Sequence, residues 1–230
     1  MKINMLKYLF SIILISVTLI AFGQDKEERD VSSFTGVSLG ISGDVYITQG
    51  SPQKVVVQAE SNLDEIETQV KDGVLRIKTD NWNSKIKGAK IWITMPEVEA
   101  LNISGSGDIL AETPINSDEL ELKVSGSGTV DVPKLTADEI GAAISGSGDM
   151  KLAGSADEME LRISGSGSMY AEGLKVDECG IKISGSGSCK IDVTGELDVS
   201  ISGSGRVTYY SDPQIDARVS GSGKVRKGDR

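Results

Sequence analysis

The tetrapeptide Ser-Gly-Ser-Gly occurs seven times along the chain, beginning at Ser104, Ser125, Ser145, Ser164, Ser184, Ser202 and Ser220. Successive copies lie 21, 20, 19, 20, 18 and 18 residues apart. Self-similarity at a nearly constant period of this size marks a repeat architecture, in which each unit buries its apolar face only against its neighbours. Any reading of this chain has to begin from that constraint.

Aligning the copies on the first serine shows what the repeat is made of. One, three and five residues before it stand Val124, Leu122 and Leu120 in one copy, and Ile144, Ala142 and Ile140 in the next. Then follow Ile163, Leu161 and Met159; Ile183, Ile181 and Cys179; Ile201, Val199 and Leu197; Val219, Ala217 and Ile215. The positions between are mostly polar, among them Glu121, Lys123, Glu160, Arg162, Lys182, Asp198 and Arg218. Alternation with a period of two is the pattern of a strand with one buried face. It resumes after each motif in Ile109/Ala111, Val130/Val132, Met150/Leu152, Met169/Ala171, Cys189/Ile191 and Val207/Tyr209. Each repeat therefore reads as strand, Ser-Gly-Ser-Gly corner, strand and a connection that absorbs the length changes.

Two architectures use such a repeat: an antiparallel meander with hairpin turns, or a solenoid of parallel coils. Identical corners stack in register only in the solenoid, so the expected fold is all-β, a parallel β-helix of about seven Ser-Gly-Ser-Gly coils with an N-terminal β cap region. Glycine accepts positive φ and lets backbones approach closely. The expected structural corners are therefore Gly105 and Gly107, Gly126 and Gly128, Gly146 and Gly148, Gly165 and Gly167, Gly185 and Gly187, Gly203 and Gly205, and Gly221 and Gly223. A coil of about 20 residues at roughly 3.3 Å each encloses a thin apolar core.

Composition then removes function classes. The 230 residues contain no histidine, which excludes a Ser-His-Asp triad, an imidazole base and a zinc site with a His ligand. Two cysteines make neither a four-thiolate metal site nor a disulfide framework. A net charge of −10 argues against nucleic acid as a partner. The start of the chain carries an address. Lys2 and Lys7 precede an apolar run from Leu9 to Phe22, and Ala21-Phe22-Gly23 offers small residues before Gln24. This predicts a secretory signal peptide over 1–23, with no membrane span left after cleavage. Residues 24–33 read as a linker, 34–100 as an irregular N-terminal β region (coils, a cap or a small separate domain) and 101–230 as the repeat solenoid. Within the irregular region, Ile41-Ser42-Gly43-Asp44-Val45 is a degenerate copy of the corner. At the other end, Lys224, Arg226, Lys227 and Arg230 suit an exposed last strand, where charge blunts edge pairing.

Several of these segments together resemble the GIN-domain family of autotransporter-adhesin head proteins, exported by Bacteroidetes-type bacteria. The carriers are Phe34 with the run from Ile41 to Gly50, then Gly73-Val74-Leu75-Arg76-Ile77, the serial corners, and the ending from Val207 to Pro213 through Ser220-Gly221-Ser222-Gly223. The resemblance implies a β-helix and a surface or adhesive role, and it brings no catalytic residue. Family members often carry Asp after the corner; here Asp108 and Asp149 do, while Thr129, Ser168, Ser188, Arg206 and Lys224 take that place elsewhere. A continuous carboxylate ladder at that position is therefore not expected.

The remaining candidates for chemistry have plain alternatives. Asp118-Glu119, Asp138-Glu139, Asp157-Glu158 and Asp177-Glu178 each lie seven residues before a corner. They read either as oxygen ligands for Ca²⁺ or as solvated turns, and the second is favoured because the nonapeptide calcium-roll repeat is absent. Gly221-Ser222-Gly223-Lys224 lacks the remaining features of a phosphate loop and reads as a terminal corner. Cys179 and Cys189 occupy inward columns of one coil and read as small core residues rather than a bridge. Trp82, in a polar stretch, reads as a cap of the core ahead of a sugar platform. No polar cluster converges on one coil, so no catalytic, cofactor or metal residue is expected. The expected function is an exported, non-enzymatic surface adhesion or interaction module whose partner is a protein or glycan. A carbohydrate-binding or polysaccharide-degrading β-helix and a periplasmic scaffold stay open beside it.

Overall fold

In the computed structural model, residues 26–81 and 83–229 are described. The signal-peptide segment 1–23, Trp82 and Arg230 lie outside them. Seventeen strands join into one continuous sheet that coils on itself. From the first Ser-Gly-Ser-Gly onward the coils pair in parallel with their repeats aligned residue for residue. Leu122 lies beside Ala142, Ala142 beside Leu161, Leu161 beside Ile181, and Ile181 beside Val199. Each coil has three flat runs, visible in strand Thr129–Gly146 as 129–132, 135–137 and 139–146. The shifts of register fall between these runs, as between Val132 and Leu135. The seven corners bound six turns, one fewer than a count of corners suggests, because a turn is the interval between two corners.

The irregular N-terminal region belongs to the same stack. Gly36–Leu39 and Asp44–Gln49 pair in parallel with Ala100–Ile103 and Asp108–Ala111. On their other side lie Val74–Lys78 and Lys90–Met95, again parallel. The degenerate corner lies in the glycine column: the Asp108 amide donates to the Gly43 carbonyl at 2.9 Å. The parallel stack then ends in antiparallel strands, Glu67–Lys71 on Val74–Lys78 and Lys54–Gln58 on Lys90–Met95. Outermost is Lys26–Arg29, antiparallel to Lys54–Gln58, in a segment the sequence assigned to a linker. Lys-Glu-Glu-Arg holds no apolar residue, so hydrophobic alternation cannot reveal it; ladder hydrogen bonds hold it as a wet, charged edge.

Along the turns the alternation divides buried from exposed side chains. Leu120, Leu122, Val124, Val130 and Val132 are fully buried, as are Met150, Met159, Leu161 and Met169, and all belong to one core. Cys179 and Cys189 are free thiols within it. Burial, with the charge of Glu160 second, pushes the Cys179 thiol up to about 12. Burial raises Cys189 well above the ordinary thiol range too. The last coil departs from the pattern. Ile215 and Val219 stand in inward columns yet are 41% and 43% exposed, because no further coil covers that side among the described residues.

The corners explain the recurring glycines. The Ser166 amide donates to the Gly146 carbonyl at 2.9 Å, and the Ser186 amide to Gly165 at 2.8 Å. A second ladder follows, Ser168 to Gly148 and Ser188 to Gly167, each at 3.1 Å. Gly165 has φ of +123° and a side chain there would place Cβ 2.5 Å from the Gly146 oxygen. Gly167 has no positive φ; its Cβ would stand 2.4 Å from the Gly148 oxygen. Gly105 differs from both. A Cβ there would find its nearest atoms at 3.9 Å, over the coil carrying Gly40 and Ile41, and its φ is not in the left-handed region.

Two stability predictions follow from this packing. Ile163→Asp places an unpaired charge in the core and should cost about 4 kcal/mol, whereas Arg162→Asp, one residue away and outward, should stay within about 1 kcal/mol in chemical denaturation. Gly165→Ala meets both a forbidden φ and a backbone oxygen and should lose at least ~2 kcal/mol; Gly105→Ala should melt like the parent protein. Equal melting shifts for the two glycine variants would contradict the corner geometry.

Candidate functional site

The parallel register turns the recurring acidic residues into a row. Glu119, Glu139, Glu158, Glu178 and Glu196 lie side by side on five successive coils, with Gln214 next. Asp118, Asp138, Asp157 and Asp177 precede the first four of these, and all nine carboxylates are exposed. At about 4.8 Å between coils the glutamate row is roughly 19 Å long. Like charges at that spacing repel by about 1 kcal/mol per pair even in water, so the row favours cations or a basic surface beside it.

At its N-terminal end the row opens into a groove of about 930 Å³. Six carboxylates line it, from Glu97, Glu99, Asp118, Glu119, Glu121 and Asp138, and no basic side chain does. It lies where the third run of the coils begins, beside the strandless connection 96–99. The sequence reading located the four Asp-Glu pairs but missed Glu97, Glu99 and Glu196. Glu97 stands seven residues before Ser104, the offset of the other acids, so the same alignment reaches it. Glu196 follows Gly195 and has no acidic neighbour to make a pair, which hid it.

The adjoining outward face is built differently. Glu121, Gly141, Glu160, Gly180, Asp198 and Asp216 share one column, and Lys123, Ala143, Arg162, Lys182, Ser200 and Arg218 the next. Glu121 pairs with Lys123, Glu160 with Arg162 at 3.4 Å, and Asp216 with Arg218 at 2.8 Å. Glycine at 141 and 180 holds the glutamates two coils apart, and the Glu160 carboxylate leans into the space that a side chain on Gly180 would fill. Charge on this face is balanced locally; on the glutamate row it is not. Among the described residues no group of three or more acidic or thiol side chains is arranged to hold a metal ion.

The residues after the corners do not form a carboxylate ladder. Asp108 turns back on the stack, its Oδ1 accepting the Thr129 amide at 2.7 Å, and Ser188 donates to the Ser168 hydroxyl at 3.1 Å. Elsewhere on this side Trp92 and Tyr46 stack with ring centroids 5.7 Å apart. Lys26 Nζ lies 4.2 Å over the Trp92 ring, so that face is not open to a sugar. Partial burial first, then the Asp44 carboxylate, raises the Tyr46 phenol above its ordinary range. No helix of the described residues is long and apolar enough to cross a membrane.

This architecture has solved counterparts. A putative adhesin of Bacteroides fragilis superposes with a TM-score of 0.85 at 26% identity, over 90% of this chain and 98% of its own. A putative lipid binding protein of Parabacteroides distasonis gives a TM-score of 0.75 at 22% identity, over 91% of this chain and 98% of its own. A putative adhesin of Parabacteroides merdae gives 0.71 at 22% identity with the same coverage. The two likenesses at 22% bear on the fold alone. No curated protein sequence matches the chain. Residues 33–213 match the family described as "Putative auto-transporter adhesin, head GIN domain". With the N-terminal coils, six of the seven corners and the run from Val207 to Pro213 inside that match, the chain belongs to the GIN-domain family of adhesin heads.

Proposed function

We propose that this chain is an exported, non-enzymatic interaction module of the cell surface that engages a protein or glycan partner along its acidic flank. The observation that carries the reading is the in-register row of five exposed glutamates running into a groove lined by six carboxylates without a base. Its charge is spread over successive coils, so binding sums over repeats instead of focusing on one residue. The family and the Bacteroides fragilis relative support the adhesive class. Export rests on the basic, apolar and small-residue order of residues 1–23. A partner fitting this flank presents positive charge, either basic side chains or cations held on a glycan.

The purified protein is to be screened on a glycan array and on intact cells, and the native protein located by surface proteolysis. Glu139→Gln, Glu158→Gln and Glu178→Gln combined should weaken binding by ~10-fold or more, while any one of them changes it about twofold. Binding should also fall as salt rises from about 0.1 to 1 M, since screening shortens from ~10 to ~3 Å. Loss of all activity with one carboxylate, together with new reducing ends from a polysaccharide, would assign an enzyme instead.

A further inference from the structure

The two ends of the stack are finished in opposite ways. The N-terminal end closes with antiparallel strands, outermost the wholly charged Lys26–Arg29. At the other side the last described strands are the parallel Gln214–Gly221 and Lys224–Lys227, whose outer edges are unpaired among the described residues. On the first of these, Ile215 and Val219 are 41% and 43% exposed while carrying the apolar residues of inward columns. An apolar strand with a free edge is a template for another strand.

The backbone fixes which groups are free. Ser222 donates its amide back to Gly203, and Glu121, the counterpart of Asp216 in an earlier coil, donates back to Glu99. Amides and carbonyls alternate sides along a strand, so those of Asp216, Arg218 and Ser220 face the preceding coil. Those of Ile215, Ala217 and Val219 face outward, on the same residues whose side chains are uncovered.

We propose that a second copy of this chain covers this end, the two Gln214–Gly221 strands pairing antiparallel about a twofold axis at Ala217. In that register Ala217 faces Ala217, and Ile215 faces Val219 twice. These are the residues with free amides and carbonyls, so the pair closes about six main-chain hydrogen bonds. Asp216 then faces Arg218 of the other copy, in the closer, non-hydrogen-bonded positions where side chains meet best. Both are exposed, at 56% and 82%, and already lean together at 2.8 Å within one chain, so the twofold assembles a square of alternating charge. The neighbouring strand has the opposite character. Pairing Lys224–Lys227 with its own copy about Val225 would set Lys224 against Arg226, and about Arg226 would set Arg226 against itself and Val225 against Lys227, so either register is repulsive or mismatched. The self-complementary strand thus selects a closed, isologous dimer rather than an open fibre. This inference stands apart from the proposed acidic flank, which lies on earlier coils and stays free in the dimer.

Sedimentation equilibrium on the purified protein tests it, with circular dichroism and melting as checks that each variant folds. The expected result is a dimer mass for the parent protein. Asp216→Arg alone and Arg218→Asp alone each convert two attractive pairs into two repulsive ones and should weaken dimerisation at least about tenfold. The double variant Asp216→Arg with Arg218→Asp should restore it. A monomer at about 100 µM, a mass that grows beyond the dimer, or single variants that associate like the parent would each overturn the proposal. So would a folded double variant that stays monomeric. Ligand binding measured on the monomeric variants reads the acidic flank separately, because those substitutions leave Glu119 to Glu196 untouched.

Discussion

At each corner the backbone of one coil rests directly on the backbone of the next. The Gly146 carbonyl accepts the Ser166 amide, and the atom that any other residue would carry at Gly165 has no space beside that oxygen. This approach fixes the height and the register of the coils together. A slip of one residue would put a serine where only hydrogen fits, and would also turn every apolar side chain out of the core. The corner therefore specifies the register, and the apolar columns supply the stabilisation, since alternating side chains bury continuously from coil to coil.

Once register is fixed, surface chemistry is a matter of arithmetic on the repeat. A residue at a given offset from the corner meets its equivalents about 4.8 Å away on both sides. The chain uses this in two ways. In the column of Glu121, Glu160 and Asp198, glycines at 141 and 180 interrupt the acids, and Lys123 and Arg162 neutralise Glu121 and Glu160 within their own strands. In the column of Glu119 to Glu196, no spacer intervenes. The first arrangement is quiet toward partners. The second keeps an unrelieved field that costs folding energy, and it sits beside a groove of the same sign.

Much of this was legible in the residues, for a physical reason. A repeat writes its fold many times, so inward columns, corners and the acidic offset each appear as vertical agreement among copies. Legibility failed where that redundancy ends. Lys26–Arg29 joins the sheet through backbone bonds alone and leaves no apolar trace. The chain from 36 to 111 enters the stack one coil inside its end, runs outward, and returns, an order that strand patterns do not encode. Gly105 bears the motif but lacks its constraint, because the coil beneath it is the irregular one. Ile215, Ala217 and Val219 keep the apolar pattern although nothing among the described residues covers them; alternation tells which side faces inward, not whether another coil follows. The groove at Glu97 and Glu99 depends on a connection without a strand, and only the folded chain reveals that it leaves space.

A solenoid has no interior site to offer, because its axis is filled by packed side chains and each coil touches only two others. Function has to lie on a flank or on an end, and here these regions carry different chemistry. The flank is repetitive and of one sign, so it can be lengthened or weakened coil by coil without disturbing the core. The end carries one strand, Gln214–Gly221, whose sequence is complementary to itself when reversed. Bases concentrate on the coils nearest that end, in Arg206, Arg218, Lys224, Arg226 and Lys227, whereas the uninterrupted acids stop at Glu196. The acidic row nonetheless reaches the terminal strand, where Glu196 lies beside the uncharged Gln214. Those bases attract the acids of a second copy, whereas along 215–219 the uncharged Ile215, Ala217 and Val219 and the mutually offset Asp216 and Arg218 let a like strand approach at the least electrostatic cost.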